Sequence, residues 1–292
     1  MGGVEEITLP FKGRDRVGMG LPSERSEMMK IYLKILVFVL LTVVVSPALL
    51  LAEDASDIIK KSQDAFFAQG QDMKARVKMT LLSKSGQQRL RELTMLRKNG
   101  AGDEQKYFMY FHNPGDVRGT SFMVYKYPGK DDDRWIFIPA INLVNRIAAK
   151  DSRSSFVGSD FTYEDVSGRD VEADTHKYVK EETIQGKPCH VIESTPKSPT
   201  EYTRKMSWVD KTTYLPLKDE YYDVQGSLYK VFTADKIDTI GGFPTITKRS
   251  MANIKSGHKT EVVFDNIAYN VGLGDDVFSE RYLRKPAEKW IK

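Results

Sequence analysis

The chain has 292 residues, of which 40% are hydrophobic and 29% are charged, with a net charge of +4 at neutral pH. This near-balance of charge, without a basic stripe that carries interleaved aromatic residues, argues against a nucleic-acid partner. The single cysteine, Cys189, excludes an internal disulfide bond, so a hydrophobic core has to hold the fold, and a chain of this length is large enough to bury one.

The N-terminal region has the pattern of a secretory leader. Two lysines precede an apolar run at residues 35–45, and small residues follow that could be cleavage points. We expect residues 28–52 to be a signal peptide that is cleaved after Ala52. Cleavage after Ala48 and an uncleaved anchor are the alternatives, although the apolar run is short for a membrane span.

The segments on either side of this leader have different characters. Residues 1–27 have mixed charge and no apolar periodicity, which indicates an extended leader or a start codon placed too early. No cysteine lies near the cleavage point to be acylated. We therefore expect residues 53–292 to be a soluble, unanchored periplasmic protein, and a monomer suits this best.

Periodicity then predicts one helix followed by many strands. Residues 56–69 carry apolar side chains at helical spacing after a capping serine, and the helix should end at Gly70. From Met73 to Leu81 the period changes to two, which is typical of a half-buried strand. Similar patterns recur about every ten residues, with turn-forming residues between them. These further predicted strands cover residues 90–96, 106–111, 122–127, 134–138, 178–185, 189–194, 204–209, 217–224, 228–235, 245–253 and 260–269.

The whole pattern predicts a mainly β fold. About eleven strands in antiparallel order favour a strongly curved sheet that forms an incomplete barrel, because one flat sheet of this size leaves long edges and an uncovered face. The N-terminal helix, together with a helix or loop that acts as a plug, would close the opening. Residues 53–292 contain no linker-like stretch and should be a single domain.

The middle segment, residues 139–175, is predicted to be a long loop, and long ordered loops are often lids or binding loops. Its aromatic residues would close the mouth of a cavity, while its charged residues meet a basic partner or one another. The simpler alternative is that the segment only covers one end of the barrel. The residues assigned to this lid or partner loop are Arg146, Phe156, Asp160, Phe161, Tyr163, Glu164 and Asp165.

Large apolar side chains recur at alternating strand positions. Plain core packing explains such residues. However, a half-open barrel with one helix has an inner face too wide for side chains to fill, and an unfilled apolar concavity suits a lipid-sized ligand. The candidate ligand-cavity residues are Val77, Met79, Tyr107, Met109, Phe111, Phe122, Trp135, Phe137, Met206 and Trp208.

Motifs for catalysis, metals and cofactors are missing from the sequence. Cys189 and His190 are adjacent on a predicted strand, so their side chains point to opposite faces and cannot share a proton. The four histidines show no metal-ligand spacing, and no phosphate-binding glycine loop occurs. The carboxylates at 160, 164 and 165 could form an acid/base pair, but ion pairs with neighbouring basic residues are simpler. We expect no enzyme activity and no metal or cofactor.

Two stretches of the sequence resemble the LolA/LolB-like carriers of the bacterial envelope, and within them the outer membrane lipoprotein-sorting group. The first comprises NPGD at 113–116 with GT at 119–120, WIFIP at 135–139, and SFVGSDFTYED at 155–165. The second comprises WVD at 208–210, YLP at 214–216, Gly226, FS at 278–279 and Leu283. The block at 158–165 looks specific to this group, whereas the second stretch is looser.

The resemblance implies an incomplete antiparallel barrel covered by helices, whose apolar interior shelters the acyl chains of a lipid or lipoprotein across the periplasm. It also suggests an inner-membrane exporter of the resistance-nodulation-division (RND) type as a partner. Two alternatives remain: an exporter accessory subunit that binds protein and no lipid, and a hydrolase that uses the carboxylates of residues 160–165.

Overall fold

The computed structural model describes residues 28–34 and 53–292, together with Gly2 and Gly13. Residues 28–34 are helical and exposed, and the rest of the predicted signal peptide lies outside the described residues, so the leader and its cleavage point stay predictions. Residues Glu53–Lys292 form one compact unit. Within the described ranges, no helix combines the length and the hydropathy that a membrane crossing requires.

One antiparallel sheet of thirteen strands forms the framework of residues 53–292. Its strand order is β6-β5-β4-β3-β2-β1-β13-β12-β11-β10-β9-β8-β7, so the two edges do not pair and the sheet is an incomplete barrel. The strands are β1 (Asp72–Leu82), β2 (Gln88–Asn99), β3 (Gln105–Asn113), β4 (Ser121–Lys126), β5 (Asp133–Ile138), β6 (Leu143–Ile147), β7 (Asp174–Ile184), β8 (Lys187–Pro196), β9 (Arg204–Asp210), β10 (Pro216–Tyr222), β11 (Leu228–Ile240), β12 (Phe243–Asn253) and β13 (His258–Tyr269).

The mainly β prediction is confirmed, with two corrections. The sheet has thirteen strands rather than about eleven, and the long loop expected at residues 139–175 contains the short strand β6 as well as helical turns. Strand β6 escaped prediction because its sequence, LVNRI, has no alternation of apolar and polar residues. Four of its five side chains are exposed or half-buried, since the strand forms an edge of the sheet and pairs only with β5.

Within residues 53–292, four helices accompany the sheet. The first, α1 (Ala55–Phe67), begins one residue earlier than predicted because Asp54 rather than Ser56 is the N-cap. It also ends two residues earlier than predicted. The Asp54 carboxylate accepts a hydrogen bond from the Ser56 backbone N–H at 3.2 Å. The others are α2 (Tyr163–Ser167), α3 (Glu280–Arg284) and α4 (Glu288–Ile291), and single 3-10 turns occur at Pro139–Ile141, Ala149–Asp151, Val171–Ala173 and Asp275–Val277.

Helix α1 packs across strands β8 and β9 through its apolar stripe. Ile58 and Ile59 contact Ile192 and Val209 in a buried cluster. At the end of the helix, the buried guanidinium of Arg97 on β2 donates hydrogen bonds to the backbone carbonyl oxygens of Phe67 and Gln69. These carbonyls have no partner within the helix, so Arg97 satisfies them and also complements the helix dipole.

Alternation along the strands defines an inner face and an outer face. The inner face carries the β1 side chains Met73, Ala75, Val77, Met79 and Leu81, and their neighbours across the sheet form the largest buried cluster. On the outer face, a second cluster lies over β2 to β5 and is covered by the C-terminal segment with α3 and α4. Strands β3 to β5 are therefore buried on both faces.

Contacts of the segment between β6 and β7 show how strongly the sheet curves. The Tyr163 ring lies 5.2 Å from the Phe122 ring on β4, and Asp165, two residues later, binds Lys230 on β11 at 2.7 Å. Strands β4 and β11 are six places apart in the sheet, which would separate them by about 29 Å if the sheet were flat. The inner face therefore closes around this segment.

Candidate functional site

The inner face is filled by residues 152–168, here called the plug. The Phe156 ring lies 5.9 Å from Phe111 and 5.4 Å from Phe122, and the Phe156 and Phe161 side chains are 2% and 3% exposed. Phe161 and Val166 belong to the same buried cluster as the β1 side chains of the inner face. The plug thus supplies the apolar packing that a second layer would supply in a closed sandwich.

A capping box and an ion pair fix the plug's short helix α2. The Thr162 hydroxyl accepts from the Asp165 backbone N–H at 3.0 Å, and the Asp165 carboxylate accepts from the Thr162 N–H at 2.8 Å. The same carboxylate accepts from the Lys230 ammonium at 2.7 Å. Burial raises the pKa of Asp165, but the Lys230 charge and these hydrogen bonds outweigh burial and hold the pKa below its usual value.

Further polar contacts tie the middle and the C-terminal end of the plug to the sheet. The Asp160 carboxylate accepts from the Thr260 hydroxyl at 2.7 Å and lies 2.6 Å from Nδ1 of His258. After the plug, Arg169 bridges Glu164 at 3.1 Å and Asp174 at 2.9 Å. A small number of polar contacts therefore hold in place a segment whose centre is apolar.

Little free volume remains between the plug and the sheet. Three cavities on the inner face measure about 90, 50 and 20 Å³. Ligand pockets for molecules of drug or lipid size are roughly 300–1,000 Å³, so an acyl chain does not fit while the plug is in place. A larger cleft of about 520 Å³ lies beside α1 and the turns after β2 and β4, and most of its lining residues are polar or charged, six of them Asp or Glu.

The predicted cavity residues fall on both faces of the sheet. Trp135 and Phe137 lie in the outer cluster, opposite the inner-face residues Ile136 and Arg134 of the same strand, so placing them in the cavity was wrong. Met206 and Trp208 alternate on β9 with Lys205 and Ser207, which line the 90 Å³ cavity, so they do not line it themselves. The predicted residues that do lie on the inner face are Val77, Met79, Tyr107, Met109, Phe111 and Phe122.

The predicted lid residues come together in the plug, with one exception. Phe156, Phe161, Tyr163 and Val166 pack into the inner face as described above, and the role of this segment as a lid or partner loop stays a prediction. Arg146 instead lies on β6, where it is exposed and pairs with Asp133 on β5. It therefore takes no part in the plug.

Sequence reasoning missed the basic residues of the inner face. Lys230 and Arg249 are 6% and 8% exposed, and both line the 90 Å³ cavity. Charged residues are ordinarily assigned to solvent, yet Arg249 alternates in phase with the buried Met251 on β12. That phase is the signal that could have placed Arg249 inside.

The chemistry of the described residues offers no alternative site. Within residues 28–34 and 53–292, no group of three or more His, Cys, Asp and Glu side chains is arranged to hold a metal ion. Cys189 is fully buried, and its thiol donates to the Lys187 carbonyl oxygen at 3.4 Å rather than meeting His190. The carboxylates proposed for a hydrolase each bind a different partner: Asp160 binds His258, Glu164 binds Arg169, and Asp165 binds Lys230.

Gly168 ends the plug in a conformation that only glycine adopts easily, with φ of +85°. A Cβ atom there would lie 3.1 Å from Gln63 and Phe67 of α1. We therefore expect Gly168→Ala to lower the free energy of unfolding by about 2–3 kcal/mol in urea titrations, from backbone strain plus crowding. Gly158→Ala is the control, since its φ is +78° but its Cβ meets nothing within 4 Å, and it should cost only about 1 kcal/mol. Equal losses would show that Gly168 does not pack against α1.

Solved structures share this architecture. A domain from Vibrio parahaemolyticus, named for outer membrane lipoprotein sorting, superposes with a TM-score of 0.73 at 28% identity, covering 79% of this chain and 98% of that one. A LolA superfamily protein from Nitrosomonas europaea superposes with a TM-score of 0.62 at 21% identity, covering 78% and 98%, and shows the fold alone. The incomplete barrel with its plug thus defines a protein of the LolA-like fold group.

The family follows from two further matches. A family model described as that of an uncharacterized protein matches residues 103–285, more than half of the chain. A DUF1329 family protein from Desulfovibrio piger is 30% identical, with a TM-score of 0.72, covering 78% of this chain and 97% of that one. The chain belongs to the DUF1329 family. No curated protein matches it.

Proposed function

We propose that this protein is a carrier that shelters the acyl chains of a lipid or lipoprotein against the inner face of the incomplete barrel, after the plug has moved aside. One observation carries the proposal: the apolar inner face is covered by helix α1 and the plug, and the plug is an irregular segment held there by a few polar contacts. Such a segment can be exchanged for another apolar chain, whereas a second sheet could not.

The apolar part of this exchange can be compared by side chain and methylene. Each large apolar side chain that leaves the inner face loses about 1.5–3 kcal/mol of burial, and an acyl chain gains about 0.8 kcal/mol for each CH₂ that it buries. Roughly ten buried methylenes therefore offset the removal of Phe156, Phe161 and Val166. A long acyl chain is of the right size to replace the plug, and a short one is not.

The periplasmic location and the exporter partner of the proposed carrier rest on other observations. The predicted signal peptide leads us to place the carrier in the periplasm, and the name of the Vibrio parahaemolyticus domain supports a role in moving lipid-bearing cargo through the envelope. The RND-type exporter rests on the family resemblance of the sequence alone. We propose no catalytic step, because the chain needs none to bind and release an acyl chain.

A second candidate is supported by the filled interior. An exporter accessory subunit that binds no lipid would keep its inner face packed, and the cavities of about 90, 50 and 20 Å³ fit that description. In this case the plug would be permanent core, and the protein would act through its surface.

Native mass spectrometry with lipid extraction separates the two candidates. The exported protein is purified from the periplasm without detergent and weighed intact, before and after incubation with vesicles of envelope lipids. The carrier predicts about one acyl-bearing molecule bound per chain. A ligand-free mass in both samples would overturn the carrier and favour the accessory subunit, and copurification with a membrane protein would then be the next test.

A further inference from the structure

Arg249 is a buried cation on the inner face that has no hydrogen-bond or ion-pair partner among the described residues. It lies on β12 with 8% of its surface exposed, and its guanidinium carbon is 5.0 Å from the ring centre of Phe66, 5.4 Å from Phe161 and 4.8 Å from Phe264. In the part of the chain that the structure describes, it forms no hydrogen bond and no ion pair, and its Nε atom is buried without an acceptor.

The other three buried arginines each have a hydrogen-bond or ion-pair partner for at least one Nη atom, although their Nε atoms, like that of Arg249, are buried without an acceptor. Arg97 donates to two carbonyl oxygens at the end of α1, Arg91 pairs with Asp116 at 3.2 Å, and Arg134 pairs with Asp132 at 2.6 Å. An unpaired buried ion costs several kcal/mol, and a cation–π contact returns only about 0.5–2 kcal/mol. The fold therefore tolerates a net cost at Arg249 that it avoids at the other three positions.

The nearby acidic groups do not neutralise Arg249. Asp165 is engaged by Lys230 and by the capping box, and Glu164 by Arg169. Asp219 lies on β10, two strands from β12, which is about 10 Å across the sheet. Burial lowers the pKa of Arg249 to about 10, against the opposing influence of Asp165, so the side chain remains charged at neutral pH.

Arg249 also lies where polar and apolar surfaces meet. It lines all three inner-face cavities: the largest adjoins Lys205, Lys230 and the plug carboxylates, whereas the two smaller ones are lined mainly by apolar side chains such as Met95 and Phe264. A ligand that is anionic at one end and apolar along its length matches this arrangement. A guanidinium binds carboxylate or phosphate oxygens through two parallel hydrogen bonds.

We propose that Arg249 binds the anionic head of a single-chain amphiphile, such as a long-chain carboxylate, whose hydrocarbon chain lies along the inner face. This inference rests on the proposed carrier function and narrows its cargo to acyl chains that end in an oxyanion. Phe161 of the plug covers the guanidinium in the empty protein and leaves when the ligand enters. Acyl chains in amide or ester linkage, as on a lipoprotein, carry no charge for Arg249 to bind.

The test compares palmitate with hexadecanol, a neutral alcohol of equal chain length, by titration calorimetry on wild type and Arg249→Met. Wild type should bind palmitate more tightly than hexadecanol. In Arg249→Met, palmitate binding should weaken about tenfold to a hundredfold while hexadecanol binding is unchanged or tighter. The urea midpoint should not fall, because the variant removes an unpaired buried charge.

Other outcomes separate this inference from the carrier function. If both ligands bind wild type equally and Arg249→Met changes neither, the anion site is wrong and the carrier stands. If the variant unfolds at lower urea and loses both ligands alike, Arg249 is structural, and the inference fails. If acetate binds as tightly as palmitate, the site binds small anions and the hydrocarbon chain of the ligand contributes nothing, so the inference fails. If wild type binds neither amphiphile, the anion site is wrong, and the mass measurement with envelope lipids decides the carrier function separately.

Discussion

Phe156→Ala is expected to speed the uptake of a fluorescent fatty acid by at least about tenfold, because it weakens the packing that keeps the plug on the inner face. The Phe156 ring contacts Phe111, Phe122 and Tyr163, and truncating a buried phenylalanine costs about 3–5 kcal/mol. If 1.4 kcal/mol of this cost destabilises the closed position of the plug relative to the open one, the fraction of molecules with an open plug rises about tenfold. Stopped-flow fluorescence with lipid vesicles as donor measures the rate.

Phe137→Ala is the matched control. Phe137 is 7% exposed and lies in the outer cluster, so its truncation removes the same group from the other face of the sheet. The urea midpoints of the two variants should fall by similar amounts, whereas only Phe156→Ala should change uptake. Equal acceleration in both would mean that uptake proceeds by general unfolding, and no acceleration in Phe156→Ala would mean that the plug does not control access.

Lys230→Met should lower the free energy of unfolding by about 3–5 kcal/mol at pH 7, because it leaves the Asp165 carboxylate buried without its counter-charge. Lys248→Met is the control, since Lys248 pairs with Glu261 at 3.6 Å on the surface, and it should cost less than about 1 kcal/mol. Urea titrations of both variants measure the difference. Equal losses would show that the pair between β11 and the plug behaves as a surface pair.

The effect of Lys230→Met should also depend on pH. In wild type the pKa of Asp165 is lowered, so its stabilisation is complete above about pH 4 and is lost as the pH falls through the lower folded-state value. In the variant the Lys230 charge no longer opposes burial, so the pKa of Asp165 is higher than in wild type and less of this stabilisation remains. The gap between wild type and variant should be largest near pH 7 and narrow below about pH 4. A gap that is constant with pH would exclude Asp165 as its source.

Most of the strands could be predicted from the sequence because one face of each is exposed to solvent. In β1, Met73, Val77 and Met79 alternate with Lys74 and Lys78, and the structure places the two sets on opposite faces as expected. Strand β6 lacks this alternation and was missed. Sequence periodicity reports the contrast between two faces and carries no signal where both faces have the same environment.

The same limit explains the cavity residues that were misplaced. On β5, Trp135 and Phe137 alternate with Ile136, and all three are buried or half-buried because the plug covers one face and the C-terminal segment covers the other. Nothing in the local sequence tells which face is inner. Only the pairing of β5 with β4, where Ile136 lies opposite Phe122, decides it.

Arg249 shows the opposite limit. Its phase with the buried Met251 indicates an inward position, whereas the usual cost of burying an unpaired charge predicts a position in solvent, and the sequence prediction did not include it. Residues that break such a rule tend to serve a function, and the surroundings of Arg249 come from α1, the plug and β13, which are far apart in the sequence.

The strand order has a consequence for how the chain folds. Every neighbouring pair in the sheet is adjacent along the chain except β1 with β13, where Met73 pairs with Tyr269 and Asp72 binds the backbone N–H groups of Val271 and Leu273. Strands β1 to β6 and β7 to β13 can each form as local hairpins, whereas this one seam must close a loop of most of the domain. Folding should therefore be limited by a single long-range event, with its rate set at the seam rather than in the hairpins.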